Sequence, residues 1–155
     1  MSRGLLVLIG VLALIAVVAF SLVGKYNSLV GLQEGVDGQW GNVENVYQRR
    51  ADLIPNLVNT VKGYAAHESQ VLTEVTEARA RVGQVQVNAD DAASLQQFQA
   101  AQGELSSALS RLLVVSENYP TLKADQSFRD LQAQLEGTEN RITVARGRYI
   151  STVQD

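Results

Sequence analysis

Cysteine is absent from the 155 residues, so no disulfide, thiolate metal site or cysteine nucleophile exists. With no thiol to oxidise, either side of a membrane is chemically acceptable. Proline occurs only twice. Pro cannot donate the helical hydrogen bond, so its scarcity is a helical signature. There is no basic stripe: the net charge is −3 and the charges are interspersed, which excludes a nucleic-acid partner. Histidine occurs once, as His67. One His cannot complete a metal site or a convincing Ser-His-Asp arrangement, and no Gly-rich phosphate loop follows a strand. Asp52 and Glu44 are too far apart on a helix to work as paired carboxylates. No catalytic, cofactor or metal site is expected, and the chain reads as a non-enzyme.

What is present begins with an apolar run. The 20 residues from Gly4 to Val23 carry no charge. As a helix they span roughly 30 Å, the thickness of a bilayer's hydrocarbon core. A helix satisfies its own backbone in lipid, and Arg3 and Lys25 bracket the run. Ala19-Phe20-Ser21 offers a small-x-small cleavage site, but the run exceeds a usual signal core. A retained single-pass anchor in the cell membrane is therefore expected over 4–23, with the lipid bilayer as partner. Arg3 and the terminal amine outweigh Lys25 by one charge, a margin that leaves the side of the soluble part open.

Beyond the anchor the apolar positions step by four and three. They run Leu22, Tyr26, Leu29, Gln33, Val36, Trp40, Val43, Tyr47, Arg50, Ile54, Leu57, Val61, Tyr64, Glu68, Val71, Val75, Ala78 and Val82. Sustained 3.5-residue spacing puts one seam along a helix. It predicts a helix over about 25–84, on the order of 90 Å long, continuous with the anchor and kinked at Pro55. A loop is expected near Gly83–Asp91. A second helix follows over about 92–117, with its seam through Leu95, Phe98, Gln102, Leu105, Leu109 and Leu112. Tyr119-Pro120 ends it. A third, over about 125–154 and capped by Asp125 or Ser127, carries Phe128, Leu131, Leu135, Thr138, Ile142, Ala145, Tyr149 and Thr152. The fold expected is all-α: a transmembrane helix continuing into a long antiparallel coiled-coil-like bundle. Its divisions are an anchor (4–23), a membrane-proximal helix (24–48) and a bundle (49–155).

The two shorter helices reach only the distal part of the first, so Tyr26 to Tyr47 is expected to lack a partner within its chain. Opposite the Tyr26, Leu29, Val36, Trp40 and Val43 seam lies a second stripe: Gly24, Ser28, Gly31, Gly35, Gly38 and Asn42. A mid-helix Gly costs about 1 kcal/mol against Ala, while small residues at this spacing let helix backbones approach closely. A flexible linker is the bland alternative. The packing reading has copies of the chain joining seam to stripe in a heterologous contact. Arg50 occupies a seam position. A buried Arg needs a partner, and Glu139, Glu136 or Glu117 is available. A polar seam residue fixes register, so Arg50 with Glu139 is assigned to structure rather than catalysis.

These motifs resemble one family. Tyr26-Asn27-x-Leu29-Val30 and Trp40-x-x-Val43-Glu44 lead into Gln48-Arg49-Arg50-x-Asp52-Leu53-Ile54-Pro55-Asn56-Leu57-Val58. Val61-Lys62-Gly63-Tyr64-Ala65-x-His67-Glu68 follows, then Glu117-Asn118-Tyr119-Pro120-x-Leu122-Lys123. Leu135-Glu136-Gly137-Thr138-Glu139-Asn140-Arg141-Ile142 and Ala145-Arg146 close the set. Together they are similar to the LemA family of bacterial and archaeal membrane proteins. The chain departs at Tyr149-Ile150, where the family has Tyr-Asn. The resemblance also implies some tens of residues beyond Asp155 that would extend or pack on the bundle. It implies a helical bundle on a membrane anchor and supplies no mechanism. The function expected is a self-assembling membrane scaffold. The alternative is an adaptor holding another envelope or membrane protein through the same uncovered helix.

Overall fold

The computed structural model describes residues 3–88 and 91–154. The Arg3 side chain, Asp90 of the expected loop and Asp155 lie outside what is described. Among the described residues five helices follow in order: α1 (Arg3–Tyr64), α2 (Ser69–Gln84), α3 (Ala92–Ser116), α4 (Pro120–Ala124) and α5 (Gln126–Gln154). No strand occurs among the described residues. The chain is all-α, and a long N-terminal apolar helix continues into a helical bundle.

Contacts set the directions. Arg79 on α2 reaches Ala51 on α1, so α2 folds back along α1. Ion pairs Arg81–Glu104 and Arg111–Glu74 align α2 and α3 antiparallel. Asp125 just before α5, and Glu139 and Tyr149 on it, meet Tyr64, Arg50 and Trp40 of α1, so α5 runs back towards the N-terminal end of α1. The bundle therefore has four long helices running up, down, up and down.

The single helix expected over 25–84 is corrected here: it is two helices joined at 65–68. The apolar phase survives the turn, since Val61, Ala65, Leu72 and Val75 are all buried. The turn satisfies its freed amides from its own backbone, the Ala65 N–H donating to the Val61 carbonyl and the Glu68 N–H to the Ala65 carbonyl. Glu68 carries its carboxylate away from the helix start, onto the Tyr119 hydroxyl at 2.9 Å. Pro55 does not break the chain; α1 is continuous through it.

Other helix starts follow local chemistry. Asp91 caps α3 by accepting from the Ala93 and Ser94 amides. Pro120 opens α4 in the first turn, where its missing N–H is no loss. Asp125 accepts from the Phe128 amide at 2.8 Å at the start of α5.

Two apolar clusters make the core. The distal one joins Ile54, Leu57 and Val61 to Leu72, Val75, Leu105, Leu112 and Phe128. The membrane-proximal one holds Val43, Tyr47, Phe98, Ile142 and Ala145, with Trp40 and Tyr149 against it. Trp40 meets Tyr149 and Phe98 edge-on, with centroids 5.2 and 6.1 Å apart. Such pairs add about 0.5–1.5 kcal/mol each beyond burial.

The second cluster corrects another expectation. α5 covers α1 as far as Gly35, where a Cβ would lie 3.8 Å from Thr152. Trp40, Val43 and Tyr47 are core residues of their own chain, and Val36 is half-buried. Among the described residues, the uncovered stretch between the apolar run and the bundle is therefore about 24–34, not 26–47.

Candidate functional site

Arg50 divides the two apolar clusters and is 2% exposed. Its Nη1 donates to Glu139 Oε1 at 2.6 Å. Its Nη2 donates to the Gln102 carbonyl and to Ser106 Oγ, both at 3.0 Å. The Tyr47 ring lies 5.9 Å from the guanidinium carbon. One side chain thus ties α1 to α3 and α5. Glu139 is 49% exposed, so the pair is dry at its cation and wet at its anion.

Arg50 Nε and both amide atoms of the buried Gln102 have no protein partner among the described residues. A purely apolar layer would cost less. What the polar layer supplies is register: slipping α5 by one residue would strand the Arg50 charge in the core. Cavities of about 190 and 310 Å³ flank Gln102.

Pro55 creates a second polar device that the heptad did not reveal. Lacking an N–H, it leaves the Ala51 carbonyl without its helical donor. Arg79 Nε from α2 donates to that carbonyl at 2.8 Å. The signal was in the chain, since a proline inside a helix always orphans the carbonyl four residues back. Which donor would answer was not.

At the far tip two phenols fasten the turns. Tyr64 donates to Asp125 Oδ2 at 3.0 Å, and Tyr119 donates to Glu68 Oε1. The Phe128 amide, then the Tyr64 hydroxyl, hold the Asp125 carboxyl below its ordinary value. The same bond to Asp125 raises the Tyr64 phenol, and the bond to Glu68 raises Tyr119. Lys123 pairs with Glu117 beside them. His67 sits exposed in the turn. No group of three or more His, Cys, Asp or Glu residues able to hold a metal ion occurs among the described residues.

The remaining singled-out residues lie at the other end. From Leu8 onward α1 is long and apolar enough to cross a membrane, and none of its apolar 18-residue window is buried by its own chain. Past Lys25, Tyr26 is 68% and Leu29 65% exposed, and Val30 and Leu32 are exposed with them. Around the same turns, a Cβ on Gly24, Gly31 or Gly38 would touch nothing within 4 Å, and Ser28 is exposed. The structure therefore leaves Tyr26, Leu29, Gly24, Ser28, Gly31 and Gly38 open and sets Gly35 beside Thr152 of α5. It brings Arg50 and Glu139 together, and takes Val36, Trp40 and Val43 into the bundle.

Comparison with known proteins adds the following. The model of the LemA family matches residues 39–155. Magnetosome protein MamQ 2 of Paramagnetospirillum magneticum is 26% identical, over 96% of this chain and 62% of its own length. Magnetosome protein MamQ of Magnetospirillum gryphiswaldense is 25% identical over the same shares. Protein LemA of Metamycoplasma hominis is 22% identical, over 87% of this chain and 59% of its own length. The chain thus spans about three fifths of the length of the curated relatives it matches.

Proposed function

The chain belongs to the LemA family, and from that premise we propose a non-enzymatic, membrane-anchored helical protein that self-assembles into a homo-oligomeric scaffold. In this reading α1 crosses the cell membrane once. Copies then pack side by side through the stretch of α1 between the bilayer and the bundle.

One observation carries the reading. Tyr26, Leu29, Val30 and Leu32 are exposed on a helix that has already left the apolar run. None of the described residues covers them; α5 reaches α1 at Gly35, through Thr152. A contiguous apolar face outside the bilayer marks an interaction surface, worth about 25 cal/mol for each Å² removed from water. The open Gly24 and Gly31 on the opposite face give a second helix room to approach. The non-enzymatic part is supported by the interior, where Arg50, Glu139 and Ser106 are spent on one another. The relatives' names, magnetosome protein and LemA, specify no reaction.

The test is the mass of the full-length protein in detergent or in lipid discs. A multimer is expected, and a solitary subunit at all concentrations overturns the reading. Gly31→Leu sharpens it. The new side chain meets no atom of its own chain near the Cβ, so melting stays unchanged while the multimer population falls. Cross-linking in cells separates the adaptor alternative, which requires bands to a different protein in place of self-bands.

A further inference from the structure

The charges of the bundle's membrane-proximal half are sorted by helix. Between Lys25 and Arg49, α1 carries Glu34, Asp37 and Glu44 and no base. From Asn140 to Gln154, α5 carries Arg141, Arg146 and Arg148 and no acid. These two sets lie on adjacent antiparallel helices, yet none of the ion pairs among the described residues joins them. The reason is angular. At about 100° per residue, Asp37 and Glu44 project roughly 140–160° away from Asn42. Asn42 faces α5.

On that α5 side lies an open groove of about 490 Å³. Val46, Val144 and Ala145 form its apolar part, and Asn42, Arg141 and Arg148 line it together with further amides. Val144 is exposed within it. No acidic side chain lines the groove. It also continues the small-residue stripe, since Gly31, Gly35, Gly38 and Asn42 step along one face of α1.

We infer that this groove receives the acidic flank of α1, Asp37 and Glu44, from a second copy of the chain. The inference rests on the assembly reading and deepens it by naming the two surfaces that meet. Groove and flank are different faces of one subunit, so the contact is heterologous and repeats from copy to copy. Opposite potentials meeting across it set the register and orientation of neighbours. A lipid headgroup is the poorer occupant. Asn42 stands about 28 Å beyond Val23 along the helix, more than three times the Debye length of about 8 Å at physiological salt.

The experiment uses full-length protein in lipid discs or detergent, with mass read at low and high salt. One variant carries Arg141→Glu with Arg148→Glu, the other Asp37→Lys with Glu44→Lys. All four side chains are exposed, so helical content and melting serve as folding controls. Each variant alone is expected to assemble at least tenfold more weakly than wild type. Mixing the two variants is expected to restore assembly, because each reversed surface then meets its complement. Raising salt is expected to weaken the wild-type contact. A wild type that assembles while both variants assemble equally well overturns this inference and leaves the assembly reading standing. Variants that fail alone and are not rescued by mixing overturn it too. A wild type that never assembles overturns the assembly reading itself.

Discussion

Residues 3–34 and 35–64 of α1 share one continuous backbone and part company in what lies against them. Leu29 in the first stretch is exposed, and Leu57 in the second is sealed. The residue type and the heptad spacing are the same. The difference is α2, α3 and α5, which among the described residues lie against the second stretch and not the first. A seam announces that something will cover it, and only the packing shows where its own bundle does so.

The sharpest break of this comparison is the same truncation made in both stretches. Leu57→Ala empties a closed site and is expected to cost about 3 kcal/mol, lowering the melting temperature by about 10 °C or more. Leu29→Ala is expected to leave melting unchanged and to reduce the multimer fraction. Equal melting for the two variants would erase the distinction.

Arg50→Ala is expected to cost about 3 kcal/mol, since it leaves a hole and strands the Ser106 hydroxyl. Arg50→Met refills the space and is expected to recover most of that loss. Thermal denaturation of the two variants separates packing from charge.

A smaller effect tests the bond across α1 and α2. Arg79→Ala is expected to cost about 1 kcal/mol, the worth of one hydrogen bond to a half-buried carbonyl. In a Pro55→Ala background the restored backbone amide serves the Ala51 carbonyl, and the same Arg79 substitution is expected to cost almost nothing. A double-mutant cycle reads the coupling directly; additive effects would dissociate Pro55 from Arg79.

The mildest concerns acid. The folded state holds Asp125 below its ordinary value of 3.8. Its contribution is therefore full above that value and is lost as pH falls through the lower, folded one. Asp125→Asn is expected to flatten that acid limb of the melting profile. An unchanged limb would remove the tip bonds from the stability of the bundle.

Much of this was legible in the residues. The long apolar N-terminal helix, the helical class and the helices over Ala92–Ser116 and Gln126–Gln154 follow from apolar spacing, caps and Pro120. Arg50 announced itself as a charge in an apolar register. Three things were not legible. The turn at 65–68 contains neither proline nor glycine, and the heptad passes through it in phase. Glu139 was one of several acids within plausible reach. The donor for the Ala51 carbonyl sits 28 residues away on another helix.

Spacing along a chain is local, so residue order alone settled which segments are helical, which face of each is apolar and which length suits a bilayer. Where the first helix folds back, how far α5 descends and which polar groups meet inside are decided by contacts between residues distant in the chain. Only the packed bundle sets those, because only there does each buried group meet or miss a partner.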